Sequence, residues 1–149
     1  EGLAAREATQ AARAHAGRGV TEPLRASALA LMEVLVAADA APVTESMAAL
    51  SALRALHARS RHPLVQARHW RAQVCSAARH DDAPGALHAA REMAAAAQRG
   101  GLLEWQCEAL LLIARLDPTS AAEAARHQGQ ALARAQGFGW LMAADGTPA

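Results

Sequence analysis

The chain has no tyrosine, no lysine, a single phenylalanine and three tryptophans among its 149 residues. An all-β core draws on aromatic and β-branched residues, so this scarcity argues against a sandwich or barrel. The two cysteines, Cys75 and Cys107, are too few for a disulfide scaffold, and each sits inside an apolar stretch. Such thiols read as buried and free in a reducing compartment. The 15 basic residues, all Arg, face 14 acidic ones, leaving a net charge of +1. That balance gives no large field to draw in nucleic acid or a membrane surface. The longest apolar run, Ala26 to Ala38, is interrupted by Glu33 and falls short of the roughly 20 residues a membrane span requires. Glu1 opens the chain with no basic segment ahead of an apolar one, so no secretory signal is read and a cytoplasmic location is expected. The absent initiator Met and the start in mid-pattern lead us to expect a piece of a larger protein.

What the chain has in quantity is Ala and Leu, within a composition that is 52% hydrophobic. Ala favours helix and lets neighbouring backbones approach closely. The stretch from Gly101 to Gly137 reads as a complete helix–turn–helix unit. Leu102 to Leu116 is apolar almost all round, so that helix needs neighbours on several sides. Asp117-Pro118-Thr119-Ser120 stops it, with Pro118 expected in the first turn of the next helix. Ala121 to Ala135 is the paler second helix, and Gly137 is suited to a left-handed cap.

A shift of about 36 residues places Arg79 and Asp81 on Arg115 and Asp117, Ala89 on Ala125, and Gly101 on Gly137. Trp70, Trp105 and Trp140 are spaced by 35 and 35. A fixed period in this range, carried by paired helices, marks an α-helical repeat array. Read in order, Leu3 to Arg18 is the second helix of a pair, Thr21-Glu22-Pro23 starts the next, and Pro23 to Ala38 is a buried first helix. Asp39 to Pro42 turns the chain into Val43 to Arg59, whose Met47, Leu50, Leu53 and Leu56 form one apolar stripe. Pro63 to Arg79 and Ala83 to Arg99 make the following pair, and Trp140 to Met142 begins a last short helix. The three Trp are expected in a core ladder. The reading is one all-α domain over residues 1–149, with about three and a half antiparallel helix pairs.

Paired helices of this period, first helices rich in Leu and Trp, and second helices of the kind AAEAARHQGQALARAQGF resemble tetratricopeptide-like repeats. More narrowly they resemble the helical-repeat segments of large bacterial ATP-dependent regulators, LuxR-type activators of the maltose-activator kind. The period here is longer than the 34-residue consensus of that family, and only Pro84 and Pro118 correspond to its turn prolines. The resemblance implies a right-handed α-α superhelix that holds a protein, a peptide or a small inducer in its groove, in a protein of transcription regulation or signal transduction.

Charge supplies the strongest local anomaly. Between Glu45 and Asp81 there is no acidic residue, while the stretch holds Arg54, Arg59, Arg61, Arg68, Arg71 and Arg79 with His57, His62, His69 and His80. The spacing puts Arg54, His57 and Arg61 on one helix face, and Arg68 and Arg71 on the next. Arginine suits carboxylate or phosphate because its planar fork binds both oxygens; a solvated face with acidic partners from neighbouring repeats is the plainer reading. With the first helices lining a groove, Arg68, Arg71, Glu104 and Glu108 are expected as its exposed polar contacts. Glu123 and His127 are four apart, but two ligands make no metal centre, and no zinc spacing or phosphate-cradling glycine loop is present. Cys75 has no His at the three- or four-residue spacing that would activate it. No catalytic residue, metal or cofactor is therefore assigned. The expectation is a non-catalytic interaction or ligand-sensing module with a protein or peptide partner, or a small anion, and no nucleic acid or membrane. A helical-bundle enzyme or metal protein and a structural, self-associating segment stay open as alternatives.

Overall fold

The computed structural model describes residues 22–40 and 43–144. Within them the chain is all helical, with seven helices in order: α1 Glu22–Ala40, α2 Val43–Arg59, α3 Pro63–Arg79, α4 Ala83–Arg99, α5 Leu103–Leu116, α6 Ala121–Gln136 and α7 Gly139–Ala144. The expected helix Leu3 to Arg18, the Thr21 cap and the tail from Asp145 lie outside the described residues.

Each helix packs on the next in the chain, and α1 also packs on α3. The core follows that order as three clusters strung along the stack. Ala30, Leu31 and Val34 of α1 meet Ala49 and Leu53 of α2 and Ala72 of α3. Val74 of α3, Ala89, Ala90 and Met93 of α4, and Ala109 and Leu112 of α5 form the second. The third joins Cys107, Leu111, Ala133, Leu141 and Met142. Alanine dominates these seams because a methyl side chain lets two helix axes come within about 8–10 Å. The tryptophan ladder is only partly realised. Trp70 and Trp105 are half-buried against the core, with Trp105 touching two clusters, but Trp140 on α7 is 58% exposed.

The helix ends obey local rules. Pro63 occupies the first position of α3 and Pro84 the first turn of α4, where a missing N–H costs nothing. Asp82 caps α4 by accepting from the Gly85 N–H at 2.9 Å. Pro118 departs from expectation: it stands in the loop before α6, and the turn is held by Asp117, which accepts from the N–H of Thr119 at 2.9 Å and its hydroxyl at 2.6 Å. Arg91 of α4 reaches the same carboxylate at 2.7 Å. These bonds, with those from Thr119 foremost, hold the Asp117 carboxyl below its ordinary pKa.

Three helices end with the same backbone geometry. Gly101 (φ +62) and Gly137 (φ +73) both turn left-handed after their helices. Behind them the Leu102 N–H reaches the Ala97 carbonyl and the Phe138 N–H the Ala133 carbonyl, each at 2.9 Å, the closing bond of a Schellman motif. Asp81, at φ 54, ends α3 in the same way, with the Asp82 N–H on the Ala77 carbonyl at 3.0 Å.

Candidate anion-binding cleft

Where α2 hands over to α3, the chain is pinned by side chains. The Gln66 amide, one turn into α3, donates to the carbonyls of His57 (3.1 Å) and Ser60 (2.5 Å), which α2 leaves without helical partners at its end. The Ser60 hydroxyl accepts from the His62 N–H at 3.2 Å, and His62 Nδ1 caps α3 by accepting from the Leu64 N–H at 3.2 Å. The end of α4 closes down on this turn. A Cβ placed on Gly100 would stand 2.4 Å from Pro63 Cβ and 2.9 Å from its Cγ, so only glycine permits the approach.

That approach puts Arg99 and Arg61 on the lining of one cleft. A cleft of ≈ 420 Å³ opens there, lined by His57, Ala58, Arg61, Pro63, Gln66 and Arg99. Among the described residues, two guanidiniums and an imidazole line it and no carboxylate does. Arg61 is not on the face of α2 with Arg54 and His57, because α2 ends at Arg59; it reaches the cleft from the connecting loop.

Behind the cleft lies a stack of rings. The His57 and His69 rings are 4.2 Å apart and inclined by only 28°. Trp70 presents an edge arrangement to both, at 5.5 and 5.0 Å, and to His88 at 5.8 Å. His69 is 5% exposed. The Nδ1 atoms of His57 and His69 are buried without a hydrogen-bond partner, so both rings are at their best neutral, where an Nδ1 need not carry a proton. Burial lowers the pKa of His57, and burial, then the neighbouring His57 and Arg54, lowers that of His69 to about 4.

The remaining candidate residues are placed differently. Arg68 is half-buried and donates to the Leu24 carbonyl (2.6 Å) and the Ser27 hydroxyl (3.0 Å) of α1; burial lowers its pKa. Arg71 turns the other way, to Glu108 of α5 at 2.5 Å and to the Cys75 sulfur at 2.6 Å. Burial works against its charge, but Cys75 and Glu108 outweigh that and raise its pKa. Arg68 and Arg71 therefore clasp α3 to the first helices on either side instead of standing exposed in a groove. Glu104 is exposed on the first turn of α5, and Arg54 is exposed on α2. Neither Cys75 nor Cys107 is in a disulfide, and Cys107 is fully buried with its sulfur 3.3 Å from the Gly129 carbonyl. Burial, then Glu108, raises the Cys107 pKa.

Arg99 is the charged cleft residue that sequence reasoning missed. Its signal was the Gly100-Gly101 pair: one glycine supplies the left-handed turn, which leaves the other, at φ -94, for a close approach. Among the described residues no group of three His, Cys, Asp or Glu is gathered to hold a metal ion, and no helix is long and apolar enough to cross a membrane. Comparison with protein-family models, curated proteins and solved structures yields no match.

Proposed function

We propose that this chain is a non-catalytic interaction module, a tetratricopeptide-like superhelical stack of a cytoplasmic regulatory protein, whose basic cleft receives carboxylates from a protein partner. The observation that carries the reading is the lining of the cleft: Arg61, Arg99 and His57 share it and, among the described residues, no carboxylate does. Solvated arginines on a plain surface are usually interspersed with acids; here the donors share one concavity, where their fields add. The recurrent left-handed helix exits and the packing of α1 on α3 support the repeat-like stack.

The test is fluorescence anisotropy with a labelled hexaglutamate peptide, and hexalysine as control. Salt-dependent binding of hexaglutamate, weakened at least about tenfold in R61A/R99A, is expected, since each charged hydrogen bond contributes about 1.5–3 kcal/mol. Equal binding by the double variant, or none by the native chain, rejects the reading. The cleft volume also suits a small ligand, for which about 300–1,000 Å³ is usual. Binding of glutarate but not the peptide would turn the module into a small-anion sensor.

A further inference from the structure

Resting on that reading of the cleft, the geometry points to a proton-coupled site: we propose that the carboxylate enters together with a proton, which His57 takes up. His57 lines the cleft beside Arg61 and Arg99, and its ring lies against His69. Among the described residues, the groups set around it are cationic or neutral. Arg54 lies one turn back on α2 and Arg61 in the loop beyond. His69 and the Trp70 edge come from α3, and Arg99 from the end of α4. His88 of α4 lies edge-on to Trp70, with ring centroids 5.8 Å apart. With nothing anionic among these described groups, the surroundings of His57 disfavour an imidazolium, in keeping with the lowered pKa that burial gives it. A bound carboxylate supplies the one charge the surroundings lack, and His57 then gains a proton that the two arginines, always charged, have no need of.

Linkage fixes the consequence. A carboxylate that raises the His57 pKa makes affinity rise about 3–10-fold as pH falls through the bound-state pKa and level off below the free-state one. The change cannot exceed tenfold per pH unit for one proton. His69, which protonates only near pH 4, stays out of this window.

The experiment measures hexaglutamate affinity from pH 5.5 to 8.5 at constant ionic strength in the native chain, His57→Gln and His88→Gln. It adds calorimetry in two buffers of different ionisation heat to count protons taken up. Expected are the 3–10-fold rise with proton uptake in the native chain and in His88→Gln, and a flat profile in His57→Gln. A flat native profile, or a slope retained in His57→Gln, overturns the proton coupling while leaving the interaction reading standing. No binding at any pH removes both. If His57→Gln proves unfolded by circular dichroism, NMR titration of His57 in the native chain decides instead: its midpoint must move up on saturation with peptide, and an unmoved midpoint overturns the inference.

Discussion

Replacing Gly100 by Ala tests the contact that forms the cleft. At φ -94 and ψ -1 the backbone of Gly100 is open to any residue, so in free space the change would stabilise the chain by about 0.4–1 kcal/mol through the unfolded state. The space is not free. The new methyl would lie 2.4 Å from Pro63 Cβ and 2.9 Å from Cγ, against a normal carbon–carbon separation of about 3.5–4.0 Å. Pro63 has a rigid ring and sits at the first position of α3, so it cannot swing aside as a long side chain would. The ends of α3 and α4 must move apart by more than about 1 Å, an overpacking strain of about 1–3 kcal/mol. The net expectation is a loss of about 1–2 kcal/mol in urea unfolding followed by circular dichroism, with weaker hexaglutamate binding because Arg99 is carried away from Arg61. In a Pro63→Gly background the Cβ that obstructs the methyl is gone, and Gly100→Ala should then cost little. A Gly100→Ala chain as stable as the native one, with unchanged binding, would refute the close-approach argument.

Three further outcomes follow from the packing. His69 protonates near 6.5 when unfolded but only near 4 when folded; the unfolded chain therefore binds more protons between those values, and up to about 3 kcal/mol of stability should drain away as pH falls from 6.5 to 4. Urea titrations at several pH values in native and His69→Gln chains check this, and an equal slope in both refutes it. Arg71→Ala strips a half-buried Glu108 of its partner and should cost about 1–2 kcal/mol, with a smaller penalty when Glu108→Ala is added; a double-mutant cycle that shows no coupling rejects the clasp between α3 and α5. Gly101→Ala and Gly137→Ala, each forced to positive φ with open space around the new methyl, should each lower stability by about 1–2 kcal/mol through backbone strain alone; thermal unfolding measures it, and a neutral result at both positions contradicts the shared helix-exit geometry.

The helices, their order and most of their ends were set within short stretches of sequence. Pro63 and Pro84 open helices, and Gly101 and Gly137 close them, because φ/ψ preference and the bonds of a helix terminus are satisfied within a few residues. Gly101 and Gly137 stand 36 residues apart in the sequence, and both take the left-handed exit that their spacing suggested. Only the tertiary structure decided where the charges went. Arg68 and Arg71 share a helix face by spacing, yet one reaches back to Leu24 of α1 and the other forward to Glu108 of α5, since a long side chain on a packed helix takes whichever neighbour offers an acceptor. Arg61 left the face of Arg54 and His57 when α2 ended at Arg59, and it met Arg99 because Gly100 let α4 settle on Pro63. Spacing along one helix fixes angles around that helix. Which cations share one cleft depends on distances between helices, and those are set by contacts that no local pattern contains.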